Sequence, residues 1–289
     1  MAASLVGLLV IVVVMGAMTT STGSGLAFAD WPLSDGELMP ERSYKTLAGF
    51  FEHFHRVPAG IAVLLALALS FSLRRSPGPA RSWAFAGTVL IVVQAVIGGV
   101  GVLQGLPLLS STLHGLLAQI TVAAFAITAY LLSARYARTV PAEDPMARTV
   151  RKWTVIAVVM VIIQTLLGAV ARHTTDGSEH ALWTHVANAF LVFLVIIVAL
   201  GTASRLAPIP GVKGLCSMSM GAVMLQVVLG FVALLVRRGK DPENIEYLWR
   251  ASLITSHVIL GILLTVLLSL LAVHVRRGAL VPGAGTTRA

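Results

Sequence analysis

Eight apolar stretches, each about as long as a helix that crosses a bilayer, govern what this chain can fold into. They cover roughly 3–20, 55–73, 83–103, 109–132, 153–170, 183–203, 214–236 and 251–273. The hydrocarbon core needs about 20 helical residues per crossing. Strands are excluded by the length of the runs and by their lack of alternation. With 57% hydrophobic and 11% charged residues over 289 positions, the composition also lies far outside the soluble range. The chain reads as an all-α membrane protein of eight transmembrane helices.

The first stretch is followed by Ala27-Phe28-Ala29, which has the small residues of a signal-peptide cleavage site, but no Lys or Arg precedes it. It is expected to remain as the first span. There is no Arg- and Ser-rich amphipathic leader either, so a bacterial plasma membrane is the expected location. Orientation follows from the charges in alternate loops. The segments after the second, fourth, sixth and eighth spans hold Arg74, Arg75, Arg81, Arg135, Arg138, Arg148, Arg151, Lys152, Arg205, Lys213, Arg276, Arg277 and Arg288, against only Glu143 and Asp144. Those segments are expected to be cytoplasmic, together with both termini. The net charge of +9 then reflects topology and implies no nucleic-acid partner.

Every even-numbered span runs inward from the outer face, and each carries a histidine near its start: His55, His114, His185 and His257. A neutral imidazole is the commonest side-chain metal ligand. A single membrane histidine is equally well read as a packing residue that hydrogen-bonds across helices, but four in register favour ligation. His53, His173 and His180 fall in or beside outer loops and are expected to be solvated. His274, close to Arg276 and Arg277, is expected at the cytoplasmic interface.

The odd-numbered spans repeat as well, with Gln94 and Gly98, Gln164 and Gly168, and Gln226 and Gly230 each four residues apart. The preferred reading is structural: the glycines let helices approach closely and the glutamines bond across the bundle. A duplicated four-helix unit accounts for both repeats, with halves 1–138 and 139–289. Each half then offers one histidine pair, His55 with His114 and His185 with His257.

Two histidines from separate helices suit few metals. Zinc usually takes three or four protein ligands, and copper sites generally add Cys or Met. Haem iron needs only two axial ligands, and its flat apolar ring fits between helices. Its propionates need cations. Arg56, Arg172, Arg237, Arg238 and Arg250 lie at the outer helix ends, where snorkelling to lipid headgroups is the alternative reading. The sole cysteine, Cys216, leaves no disulfide or cysteine cluster.

Thr22-Gly23-Ser24-Gly25-Leu26, then Asp30-Trp31-Pro32, then Glu52-His53-Phe54-His55-Arg56, together with eight spans and four histidines, resemble the haem A synthase family across nearly the whole chain. The resemblance implies an oxidoreductase that oxidises the C8 methyl of haem O, through an alcohol, to the formyl group of haem A destined for terminal oxidases. It implies that His185 and His257 hold a haem b cofactor, and that His55 and His114 bind the iron of the haem O substrate. The implied partners are a haem O synthase (protohaem farnesyltransferase) and an electron donor, and a homo-oligomer stays open. Many relatives carry a cysteine pair in the first outer loop, whereas this chain has none there.

Glu52 lies one turn before His55 on the same helix face. It reads either as a carboxylate favoured by the helix N-terminus or as a catalytic group that accepts a proton as the methyl is oxidised. Arg56 is the expected cofactor-binding cation. Two other classes fit parts of the pattern. A di-haem b-type electron-transfer protein would show the same pairs without needing Glu52, and a transporter would tolerate the repeat but usually binds near the midplane.

Overall fold

The computed structural model describes residues 1–174, 179–206, 209–237 and 244–282, apart from the side chain of Ile245. Arg238, one of the candidate cations, lies outside the described residues. Eight helices among the described residues are long and apolar enough to cross a membrane. They are α1 (Ala2–Thr22), α3 (Leu47–Leu73), α4 (Pro79–Leu103), α5 (Leu108–Leu131), α7 (Ala147–His173), α8 (His180–Ala203), α9 (Val212–Val236) and α10 (Ile245–Gly278). Two single-turn helices, α2 (Arg42–Lys45) and α6 (Ala134–Ala137), lie in connections.

Local chemistry sets the helix ends. α1 stops where Gly23 turns left-handed at φ 82° and donates its N–H to Thr19 and Thr20. α4 opens on Pro79, whose missing N–H costs nothing in a first turn. α3 starts eight residues before the apolar run, because the Thr46 hydroxyl caps it by accepting from Gly49 N–H. Glu52 and His53 therefore lie inside a helix and not at its mouth.

Each odd span packs most closely on the even span that follows it, as α1 on α3, α4 on α5, α7 on α8 and α9 on α10. α5 also touches α1, α7 and α10, and α10 also touches α1, α5 and α7. These two helices are thus the central pair and the most buried of the eight. Two apolar clusters flank them. One is built on Leu5, Ala62, Ala84 and Phe125, and the other on Ala157, Ile196, Leu268 and Leu271. At the end of the bundle away from the paired histidines, β1 (Ala142–Glu143) pairs in parallel with β2 (Ala279–Leu280).

Two histidines expected at water are buried. His53 is 2% exposed because the connection over residues 23–46 folds onto α3. Its Nδ1 lies 3.2 Å from Ser34 Oγ, and its ring meets Phe28 edge-on. His274 is fully buried because Tyr130 of α5 and the Pro210 carbonyl cover it. Its Nε2 donates to Pro210 at 2.9 Å, and Tyr130 Oη bonds its Nδ1. His180 is exposed and His173 half-buried.

Candidate functional site

The repeat of histidines and the repeat of glycines meet in space. In each of the four hairpins the imidazole of the even helix packs with its Cε1 against a glycine of the odd one. A Cβ built at Gly16 would stand 2.7 Å from His55 Cε1, and one at Gly98 would stand 2.7 Å from His114 Cε1. At Gly168 it would be 2.8 Å from His185 Cε1, and at Gly230 it would be 3.1 Å from His257 Cε1. A side chain at Gly16, Gly98 or Gly168 would force the ring to shift, and one at Gly230 would crowd it.

One turn before each glycine, a backbone carbonyl receives the same ring. His55 Nδ1–H donates to Val12 at 2.9 Å, His114 to Gln94 at 3.0 Å and His185 to Gln164 at 3.1 Å. A carbonyl only accepts, so these bonds place the proton on Nδ1 and leave Nε2 with a free lone pair. Ligating histidines are oriented in this way by the partner of their other nitrogen. His257 Nδ1 faces the corresponding carbonyl, Gln226, without reaching hydrogen-bond geometry.

The structure brings the histidines together as two pairs. His55 and His114 have ring centres 6.1 Å apart and planes at 85°. For His185 and His257 the values are 6.4 Å and 89°. An iron bound by two imidazoles lies about 2 Å from each nitrogen, and with about 1 Å from each nitrogen to its ring centre the centroids fall roughly 6 Å apart. The centroid separations of both pairs match that value. Among the described residues no group of three or more His, Cys, Asp or Glu is placed to hold a bare ion. Next to the first pair, a cleft between α1, α3, α4 and α5 is lined by Val12, Ala59, Ala95, Ala118 and Thr121. Leu9, Val63, Ile91 and Val122 add to its largely apolar lining.

The glutamine side chains do separate work. Gln164 Nε2 donates to the His185 carbonyl at 2.8 Å and its Oε1 accepts from Asn188, while Gln94 Oε1 accepts from Thr121. Gln226 Oε1 and Gln119 Oε1 are buried without a partner.

Glu52 and Arg56 form a buried ion pair, with side chains 3% and 10% exposed. Glu52 Oε2 also accepts from Phe28 N–H at 3.0 Å. Arg56 donates to the carbonyls of Phe28 at 3.0 Å, Asp30 at 2.8 Å and Leu33 at 2.6 Å. Both Nη groups of Arg56, the cation expected at a cofactor, are thus engaged with the connection over 23–46. That connection closes over the first pair. Phe28 is fully buried beneath Arg42 and Arg56, and the Trp31 ring fills the space a Cβ at Gly99 would need, next to the glycine that meets His114. Sequence reasoning missed this role of Trp31 and Phe28, although Asp30-Trp31-Pro32 was visible as a motif.

Fold and site together define a polytopic helical membrane protein with two matched imidazole pairs toward one end of its bundle. Residues 1–188 match the family described as cytochrome oxidase assembly protein, and the chain belongs to that family. It is similar to the heme A synthase of Bacillus licheniformis, with 26% identity over 170 residues, covering 57% of this chain and 55% of that protein. It is similar to the heme A synthase of Bacillus pumilus, with 26% identity over 225 residues, covering 68% and 72%. The heme A synthase of Alkalihalophilus pseudofirmus is 32% identical over 99 residues, a third of each chain. The chain thus spans about half the length of the first of these relatives.

Proposed function

We propose that this protein makes haem A by oxidising the C8 methyl of haem O to a formyl group. The observation that carries the reading is the pair of imidazole sites, each with the 6.1 or 6.4 Å separation that one iron requires. Family membership and the heme A synthase relatives support the choice of reaction. His185 and His257 hold haem b, which when bound supplies one-electron redox capacity. His55 and His114 hold the iron of the substrate haem O, beside a largely apolar cleft lined by Ala59, Ala95 and Ala118 together with Val12, Val63 and Ile91.

Turning a methyl into a formyl group with water as the oxygen source releases four electrons and four protons. Glu52, one turn from His55 on α3, is the carboxylate placed to take up a proton there. Arg56 pairs with Glu52 and the Phe28 amide donates to its Oε2, and the connection carrying Phe28 and Trp31 lies beside the first pair. The site faces the outside of a bacterial plasma membrane with both termini in the cytoplasm, a reading supported by the bias of basic residues. A haem O synthase is an implied partner, and in place of the electron donor that the resemblance suggested, the reaction written with water needs an external electron acceptor for the four electrons it releases.

The test is the haem content of protein purified from cells that co-express a haem O synthase. Wild type yields haem A and haem b. Glu52→Gln keeps haem b and accumulates haem O or the alcohol, since acid–base help is worth about 100- to 10,000-fold in rate. Haem b alone from the wild type, filling both sites, would instead identify a di-haem b-type electron carrier.

A further inference from the structure

The four described arginines among the candidate cations are not equivalent. Arg56 is engaged by Glu52 and by loop carbonyls, and Arg237 pairs with Glu179 at 2.5 Å. Arg250 lies over the Trp249 ring at 5.2 Å from its centre. Arg172 is different, because it is drawn into the seam between α1, α7 and α10 and has no carboxylate partner among the described residues. Its Nη2 donates to the Ala17 carbonyl at 2.8 Å and to Ser21 Oγ at 2.7 Å. Its Nη1 and Nε donate to nothing among the described residues.

The location of Arg172 is informative as well. Arg172 stands one turn beyond Gly168, the glycine against His185, so it projects from the same face of α7. Thr255, two residues before His257, bonds Ser21 Oγ at 3.0 Å, and Tyr247 Oη donates to the Ser21 carbonyl at 3.3 Å. Those neighbours are all neutral, so they fix the guanidinium in place without supplying a counter-ion among the described residues. A charge withdrawn from water without a counter-ion is costly. A planar fork with open N–H groups is suited to a carboxylate.

We propose that Arg172 binds a propionate carboxylate of the haem held between His185 and His257. The inference rests on the haem reading of that pair. It gives Arg172 the role that the sequence suggested for Arg56, and it makes Ser21 a positioning residue that holds the guanidinium toward the C-terminal site.

The experiment compares dissociation constants of haem b and of its propionate dimethyl ester for protein stripped of haem and reconstituted in detergent. A His257→Ala control identifies the signal from this site. Wild type is expected to bind the diester about tenfold or more weakly than the diacid, as loss of a charge-assisted bond implies. In Arg172→Gln that ratio falls toward one, and in Ser21→Ala, which keeps the cation, it stays within about threefold of wild type. A ratio in Arg172→Gln equal to that of the wild type overturns the proposal. So does a wild type that binds both forms equally, which needs no variant to fold. Wild type that takes up no haem at this pair would overturn the haem reading itself, a result distinct from either.

Discussion

A methyl group on Gly168 would stand 2.8 Å from Cε1 and 3.1 Å from Nδ1 of His185, closer than real side chains pack. The ring would have to leave the glycine and, with it, the Gln164 carbonyl that fixes its tautomer. Gly168→Ala is therefore expected to convert bound haem b from a low-spin to a high-spin or depleted absorption spectrum, with the helices intact by circular dichroism. Gly201→Ala, on the same helix as His185 and with nothing within 4 Å, should leave the spectrum alone. It should raise the thermal midpoint slightly, since alanine is favoured in helices by up to about 1 kcal/mol. An unchanged low-spin spectrum in Gly168→Ala would show that the glycine does not position the ring. Both partners of this contact are visible in the sequence as periodic residues, but their relation is not. The acceptor is a backbone carbonyl, which any residue supplies, so Val12 serves His55 as Gln94 serves His114, and the first hairpin is missing from the glutamine repeat.

At the scale of elements, the connection over 23–46 was the least legible part of the chain, and it decides how closed the first site is. Its residues are short, polar and apolar in no period, so its docking depends on individual bonds. Asp30 is central: its carboxylate accepts from Asp35 N–H at 2.9 Å and from Gly36 N–H at 2.7 Å. Burial would raise its pKa, but the two amides and the Arg56 charge outweigh that and hold it below the usual carboxylate range. Asp30 thus contributes fully at neutral pH, and its contribution is lost only when the pH falls through that lowered value. Asp30→Asn puts a donor opposite one of those amides at any pH. Trypsin cleavage at Lys45 should speed up roughly fivefold at neutral pH, as the loss of about 1 kcal/mol implies, and an unchanged rate would remove Asp30 from the closure. The same physics explains His53 and His274. Reading polar residues near a span end as solvated ignores what folds over them, here Phe28 and Ser34 in one case and Tyr130 and Pro210 in the other.

For the whole molecule, the eight spans were legible because apolar length is a one-dimensional property. Their neighbours were not, since lipid is as apolar as the helix faces it competes with and packing is selected by small residues and polar bonds. Those bonds now identify the seam. On the proposed division at residue 138, the two parts meet through α1 on α10 and through α5 on both α7 and α10. Ser21 with Thr255, Arg172 with the Ala17 carbonyl, and Tyr130 with His274 tie this seam from one end of the bundle to the other. By contrast, the contacts that seat His185 and His257 on Gly168 and Gly230 lie wholly within 139–289. Produced as two separate chains in one cell, the halves should co-purify through a tag on either one. The C-terminal half alone should still show low-spin haem b but lose it faster on heating, because α10 and α7 would face lipid with Thr255 and Arg172 unpartnered. Replacing Tyr130 by Phe and Ser21 by Ala together should weaken the co-purification without touching either histidine pair. If the C-terminal half alone binds no haem while the reunited halves do, the second site depends on the first half for more than stability, and the boundary at 138 divides a single functional unit.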